Sequence, residues 1–446
     1  MAQGLRSLRL ITLMIINVDK IVFPGFGLGR DDNNRPIFVY KAVPGDKVEI
    51  DILKDKKSHL YALIKKIIKP SNLRVNAKCP HFDQCGGCQH QNISYQNQLK
   101  IKQQTFQELL KEGEIKIKTE EIVAGSNYSY YYRNSMRFFF LLEKNKDITF
   151  ARPDYYKKDL VPIEQCYLQS ETSNKILITL KNYINDYVLY KSSFWQIKIR
   201  EGKLTGEIMI EIVTTSEDLP NKVGIVSVLK SINGVKSIYH TIAFNKSLKN
   251  IKRKLIFGSP IIYEKVGKYK FQISPQSFFQ TNSYGAKTLY DQIKDYADIK
   301  VGESLLDLYC GTGTIGIYLS TMAKKVTGID VVQKAINDAR DNAKLNHIQN
   351  CQFICSDLSK ITDFNIKKYD CDCIVINPPR AGLSKKLVKC ISKLKFKRLI
   401  YASCNPLTFI KDVSEFKNYN INLKKVQSID NFPQTHHIEC IGLLTK

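Results

Sequence analysis

Between residues 46 and 53, DKVEIDIL, the apolar Val48, Ile50 and Ile52 alternate with charged side chains. A period of two predicts a strand with one face buried. Short runs of this kind fill 13–68, broken by the turn VPGD at 43–46 and the glycine-rich loop PGFGLGR at 24–30. Several strands in so short a span, with lysine-rich faces, predict a small OB-like β-barrel over 13–70. The period then lengthens. SYQNQLKIKQQTFQELLKEG, at 94–113, sets apolar residues at helical spacing. From about 120 to 275 the pattern is mixed, with strand-like MRFFFLL at 136–142 and GEIMIEIVTT at 206–215. Beyond about 284 apolar runs at 304–309, 326–329, 352–354, 373–376 and 398–402 alternate with helical segments. That alternation predicts a parallel, doubly wound α/β sheet. The chain therefore reads as multidomain: a barrel over 13–70, an α+β central domain over 71–283 and a Rossmann-like α/β domain over 284–446.

Charge changes this picture. The 446 residues carry 68 Lys+Arg against 42 Asp+Glu, a formal net charge of +26. A surplus of this size calls for a polyanionic partner, nucleic acid first. YYYRNSMRF, at 130–138, interleaves aromatic rings with Arg133 and Arg137, a pairing that suits single-stranded RNA and makes the central domain a candidate RNA-binding surface. No run is long enough for a transmembrane helix. The stretch from Leu10 to Val18 is broken by Thr12 and Asn17 and ends at Asp19. Arg6 and Arg9 precede it without a small-residue cleavage site, so it reads as a leader into a first strand. These features predict a cytoplasmic protein, without membrane or inferred protein partner, acting as a monomer. Thiols stay reduced in that compartment, so the twelve cysteines are ligands, nucleophiles or core rather than disulfides.

SLLDLYCGTGTIGIYL, at 304–319, is an apolar strand entering a glycine turn and a helix. Gly311, Gly313 and Gly316 satisfy a nucleotide-binding pattern that serves dinucleotides and S-adenosylmethionine alike. Asp307 lies just before the turn, where a pyrophosphate would be repelled. Asp330 closes the second strand, where a carboxylate can accept both ribose hydroxyls, and Asp357 closes the third, on the adenine side. Acids at three successive strand ends favour S-adenosylmethionine. The fourth strand ends in IVINPPRAG, at 374–382. Asn377-Pro378-Pro379 resembles the loop by which amino-group methyltransferases grip an exocyclic amine, but Arg380 stands where they carry a stacking aromatic. That argues against methylation of an amino nitrogen. The fifth strand ends in LIYASCNP, at 399–406, and Asn405-Pro406 makes a fixed turn that presents the thiol of Cys404.

Together these segments resemble the S-adenosylmethionine-dependent uracil-C5 methyltransferases of ribosomal and transfer RNA. The resemblance spans almost the whole chain. It takes in a TRAM-type barrel, the cysteine cluster at 79–90, FFQTN (278–282), DLYCGTG (307–313), NPPRAG (377–382), SCNP (403–406) and FPQTHHIE (432–439). It implies Cys404 as nucleophile, Glu439 as general base, and Gln280, Tyr309, Asp330, Asp357 and Asn377 around cofactor and substrate. Three positions depart from the family. Asn377 replaces a usual Asp, Thr314 stands where some members carry Asn, and Gln434 where a His is frequent.

The segment CPHFDQCGGCQH holds Cys79, Cys85 and Cys88 at C-x5-C-x2-C and needs a fourth ligand. His81, His90 and Cys166 are the candidates, and zinc would accept a histidine. The resemblance selects Cys166 and a [4Fe–4S] cluster. It also points to 23S ribosomal RNA as substrate, with transfer RNA as the alternative. A second class of function stays open: a non-catalytic Fe–S RNA-binding protein on the same scaffold.

Overall fold

The computed structural model describes residues 14–156, 159–244, 246–248, 251–360, 369 and 371–446. Arg6, Arg9, the start of the apolar stretch at Leu10 and the expected start of the barrel at residue 13 lie outside the described residues. The chain divides into two compact units. One comprises the residues up to Asp83 with Cys88–Ile101 and Gln434–His436; the other comprises Gln84–Gly87, Lys102–Pro433 and His437–Lys446.

The first unit is built on a six-stranded sheet. The strands Met14–Asn17, Lys47–Lys56, His59–Lys69, Pro36–Tyr40, Phe26–Arg30 and Lys20–Val22 are neighbours in that order. The alternation at 46–53 works as expected: Val48 and Ile50 turn into a core with Ile16, Ile37, Val39 and Leu60. Ile52, at 42% exposed, is beyond that core, because the strand runs past it into solvent. Buried Asp46 holds the turn. Its carboxylate accepts the amides of Val43 and Ser71 and both donors of an Arg74 fork at 2.7 Å.

The second unit contains two large sheets. The central one has seven strands: Leu160–Ile163, Ile148–Pro153, Ser135–Leu142, Phe194–Glu201, Ile208–Thr214, Val235–Ile242 and Lys252–Gly258, in that order. Helices Glu171–Tyr187 and Lys222–Lys230 close its apolar face around Phe138, Phe150, Ile197, Ile210 and Ile238. All seven positions of Ile208–Thr214 are buried, the charged Glu211 among them.

The other sheet carries the nucleotide motif. Its eight strands are ordered Cys351–Cys355, Lys325–Asp330, Ser304–Leu308, Cys373–Ile376, Arg398–Ser403, Glu439–Thr445, Asn422–Asp430 and Val123–Ala124. The first five are parallel, and they are the five apolar runs of the sequence. The chain order reverses at Ser304–Leu308, and the carboxyl ends of strands beside such a point form a ligand crevice. One reversed strand, Glu439–Thr445, pairs antiparallel with Arg398–Ser403 on one side and with Asn422–Asp430 on the other, so Asn422–Asp430 keeps the direction of the first five. Helix Pro406–Lys417 is the crossover between Arg398–Ser403 and Asn422–Asp430, and the final strand inserts between the two. The hairpin Ile262–Val266/Tyr269–Ile273 sends Ile262, Phe271 and Ile273 into the core of this sheet, with helix Ser283–Ala297. Among the described residues no helix is long and apolar enough to cross a membrane.

Candidate active site

The glycine turn leaves strand Ser304–Leu308 and enters helix Thr314–Leu319. Gly313 takes φ +77°, and a Cβ there would stand 2.7 Å from the Phe353 ring. At Gly316 a Cβ would press on Val326 and on Asp307 Oδ2. Asp307 is fully buried. Its Oδ2 accepts the Gly316 amide at 3.0 Å, while its Oδ1 has no donor among the described residues. Burial raises the Asp307 carboxyl to about 7, and the nearby Asp330 adds to that. Asp330 shapes the far side of the turn. Its Oδ2 accepts the Gly311 amide at 3.0 Å and its Oδ1 the Val332 amide at 2.9 Å, leaving each oxygen one further lone pair.

Tyr309, at the start of the turn, takes the left-handed φ of 61° and is half-buried. Asp357 follows strand Cys351–Cys355. Its Oδ1 accepts the Ser359 amide and hydroxyl at 2.9 and 2.7 Å, which holds the carboxyl below its usual range. Thr314 Oγ1 accepts the Tyr290 hydroxyl at 2.8 Å. The donor set fits S-adenosylmethionine. A buried acceptor without a donor, Asp307 Oδ1, suits an ammonium, Asp330 suits a diol, and both acids would oppose a pyrophosphate.

Cys404 and Glu439 come together through strand register. Cys404 follows strand Arg398–Ser403 and precedes Asn405, whose side chain caps helix Pro406–Lys417 by accepting the Leu407 amide. Ser403 pairs with Cys440 in the antiparallel ladder, so the next pair along sets Cys404 against Glu439. Glu439 is 3% exposed, and burial pushes its carboxyl up to about 8. The Cys404 thiol is raised by burial and by Glu439, while Arg380 draws it down. Arg380 acts on both groups, since it also lowers Glu439.

Arg380, which the sequence reading used only to exclude amine chemistry, is thus the cation of the site. Its guanidinium donates to His437 Nε2 at 3.2 Å, and its carbonyl accepts Asn405 Nδ2 at 3.0 Å. Three residues on, the Leu383 amide donates to buried Asp412, which also takes the Tyr401 hydroxyl at 2.6 Å. Asn377 is half-buried, with its amide toward Leu308 O at 3.4 Å. Gln280 is 7% exposed, and its carbonyl accepts Asn134 Nδ2 at 2.7 Å.

Lys102 escaped the sequence reading altogether. It is buried, and its Nζ donates to Asp430 Oδ1 at 2.7 Å, Phe432 O at 3.2 Å and His437 O at 3.0 Å. It pins the segment that delivers Glu439. The signal was a lysine four residues before Phe106, on the buried stripe of helix Tyr95–Glu112. One expectation needs correction. Tyr132 is not a stacking platform, because it is fully buried with its hydroxyl on Pro433 O at 3.0 Å. Gln434 lies in the first unit, where its side-chain carbonyl accepts Gln98 Nε2 at 2.9 Å, a packing role.

The cysteine cluster is divided. Cys85 and Cys166 share the second unit, close enough that Cys85 raises the Cys166 thiol beyond what burial does. The Gly87 amide donates to Cys85 Sγ at 3.4 Å. Cys79 and Cys88 belong to the first unit. No group of three or more His, Cys, Asp or Glu placed to hold a metal ion occurs among the described residues.

A doubly wound sheet with a glycine turn and acids at its strand ends defines the class: a Rossmann-like, S-adenosylmethionine-dependent methyltransferase. Residues 94–446 match the family described as tRNA (uracil-5-)-methyltransferase, and residues 14–65 match the TRAM domain. The chain belongs to this uracil-5-methyltransferase family and carries an N-terminal TRAM domain. It is 35% identical over 434 residues, 94% of each chain, to an uncharacterized RNA methyltransferase of Clostridium tetani. To one of Halalkalibacterium halodurans it is 33% identical over 443 residues, 96% of each chain. Among solved structures it resembles the Pyrococcus abyssi tRNA (uracil-54, C5)-methyltransferase in complex with S-adenosyl-L-homocysteine. That match has a TM-score of 0.77 and 27% identity, and covers 96% of this chain and all of that one. The protein is an S-adenosylmethionine-dependent RNA methyltransferase, as its resemblance implied.

Proposed function

We propose that this protein methylates carbon 5 of uridine in 23S ribosomal RNA through a covalent adduct with Cys404. The observation that carries this reading is the juxtaposition of a thiol and a buried carboxylate, Cys404 and Glu439, under one cation, Arg380. Carbon 5 of uracil is a weak nucleophile. The Cys404 thiolate adds to carbon 6 and forms a C–S bond, so the ring's electron pair passes to carbon 5 as an enolate. S-adenosylmethionine supplies an electrophilic methyl on a sulfonium. Carbon 5 would take that methyl as the sulfonium S–CH3 bond breaks and S-adenosylhomocysteine is left as a neutral thioether, and Glu439 then removes the carbon-5 proton. The C5–C6 double bond re-forms and the thiolate leaves. Arg380 favours both charged forms, the thiolate at the start and the carboxylate at the end. Asp307, Asp330 and Asp357, with Gln280, Tyr309 and Asn377, hold the cofactor and orient the base. Asn377 carries no charge, so it can donate as well as accept.

Transfer RNA is the second reading, favoured by the likeness to the Pyrococcus abyssi enzyme over the whole of that chain. The three-part division at 70 and 283 and the monomeric, cytoplasmic state belong to the same proposal. So does a [4Fe–4S] cluster on Cys79, Cys85, Cys88 and Cys166. Its support is the cysteine spacing, the Cys85–Cys166 pair and an amide aimed at Cys85 Sγ. Neither the polar mechanism nor any step of it runs through the cluster.

Radiolabelled methyl transfer to both RNAs, followed by nucleoside analysis, tests the function. Label in 5-methyluridine of 23S RNA is expected. Label only in transfer RNA would sink the substrate assignment, and label in another nucleoside would sink the chemistry. Anaerobic purification should yield about four irons and four sulfides per chain, the content of one such cluster. Stoichiometric zinc without iron would remove it.

A further inference from the structure

The two faces of the central sheet differ in kind. One is the apolar core beneath the helices. The other carries Arg137 on Ser135–Leu142, Lys198 and Arg200 on Phe194–Glu201, Glu211 on Ile208–Thr214 and Arg253 on Lys252–Gly258. Register sets Arg137 opposite Lys198, and Lys198 opposite Glu211. Four cations against one carboxylate leave a surplus of three positive charges.

That carboxylate is already engaged. Glu211 Oε1 accepts Arg253 Nε at 2.8 Å and the Thr241 hydroxyl at 2.6 Å. Two of the cations are anchored to a loop. Lys198 donates to Pro275 O at 3.2 Å, and Arg200 to Ser274 O at 3.1 Å and Ser277 O at 2.6 Å. The Arg137 guanidinium, half-buried beside them, has no hydrogen-bond partner among the described residues. Gln196, two residues before Lys198 on the same face and 3% exposed, has its Oε1 without a donor. Arg200 Nε is likewise buried without an acceptor. Burial, reinforced by Arg200, depresses the Lys198 ammonium to about 7. Like charges crowded out of water are costly unless an anion completes them. The donors left over are the Arg137 fork, the remaining Lys198 hydrogens and the Arg253 Nη groups, a set that matches a tetrahedral oxyanion.

We infer that Arg137, Lys198 and Arg253 form a binding site for a backbone phosphate of the RNA, on the face of the central sheet beside the loop at 274–277. The inference rests on the RNA reading and deepens it. The same loop runs on to Phe278, which is 66% exposed, and to Gln280. A phosphate held here would fix the strand against the segment that leads to the reactive pocket.

The test is the binding of a single-stranded RNA oligonucleotide, measured across a salt series, with S-adenosylhomocysteine binding as the folding control. Arg137→Gln should weaken RNA binding about tenfold and flatten the slope of log K against log salt by about 0.7, the share of one phosphate on a single strand. Arg137→Lys should regain the slope. Lys389→Gln, an exposed lysine outside the cluster, should match the wild type. Gln196→Glu supplies a tethered anion, so it should raise the melting temperature while weakening RNA binding. Wild-type affinity and slope in Arg137→Gln, or a Gln196→Glu protein that gains no stability and binds RNA as before, would overturn the site. The two readings fail separately. A protein that shows this binding pattern but methylates no RNA loses the activity and keeps the site. One that methylates RNA while Arg137→Gln binds as wild type loses the site alone.

Discussion

Asp307 and Glu439 are both buried carboxyls at strand ends of one sheet, and both are raised toward neutrality. They get there differently. Asp307 travels with its own partner: nine residues separate it from Gly316, whose amide it accepts, and strand, turn and helix are contiguous. Glu439 has no local partner of that kind. Its neighbours Cys404 and Arg380 follow other strands, and sheet pairing assembles them, antiparallel toward Cys404 and parallel for the strand that precedes Arg380. The cofactor side is therefore a local motif, and the reaction side is a long-range construction.

The comparison can be broken most severely at Cys404. Cys404→Ala should lower methyl transfer by at least about 10⁴-fold, since the nucleophile acts as part of one unit. S-adenosylhomocysteine affinity, measured calorimetrically, should stay within about twofold. An adduct that persisted would move the nucleophile to another cysteine, Cys310 first.

Glu439→Gln should slow turnover by about 10³-fold, the middle of the range for a lost general base. It should also accumulate a protein–RNA adduct that survives a denaturing gel, because the thiolate can add but cannot be expelled. The double variant should form none. Rapid turnover without adduct would dismiss Glu439 as the base.

Lys102→Met tests how the long-range side is held. It leaves Asp430 buried without its cation, and should cost about 3–5 kcal/mol of stability in urea unfolding. Replacing Asp430 with Leu in the same chain should recover part of that. If Lys102→Met unfolds at the wild-type midpoint, the pin contributes nothing.

Acidity gives the mildest and sharpest reading. As the proposed base Glu439 would have to lose a proton, and burial pushes its carboxyl up to about 8, so turnover should rise several-fold from pH 7 to 9. The same shift weakens the fold in that direction. The folded chain holds a proton that the unfolded chain releases above about 4.3, so this group's contribution falls as pH climbs toward its folded value. Asp307, at about 7, should behave oppositely toward a cationic ligand, and S-adenosylhomocysteine affinity should fall as pH drops through 7. Asp307→Asn should flatten that profile. A profile that kept its shape in the variant would assign the titration elsewhere.

The difference between the two carboxyls also explains what could be read early. The five parallel strands and the glycine turn were legible, because period and turn chemistry are properties of adjacent residues. Asp307, Asp330 and Asp357 followed from them as strand ends. Glu439 was nameable only through family resemblance; by pattern alone it is one carboxylate near a late strand. Arg380 was seen as a departure from another family's aromatic, and its effect on Cys404 needed three dimensions. Arg137 was in view as one of the cations among the tyrosines at 130–138, whereas Lys102, Lys198, Arg200 and Arg253 were hidden for one reason. Their partners lie on strands and loops far along the chain, and a lysine-rich sequence offers no contrast against which a buried lysine stands out.

The ladder that sets Cys404 against Glu439 has a consequence for how this chain can change in length. Side chains on the last strand alternate, so a slip of one residue would offer Ile438 or Cys440 to the thiol in place of the carboxylate. The segment at 431–438 therefore behaves as a ruler. Insertions that a surface loop elsewhere would absorb are, at this place, equivalent to deleting the carboxylate opposite Cys404, although every residue of the site would still be encoded.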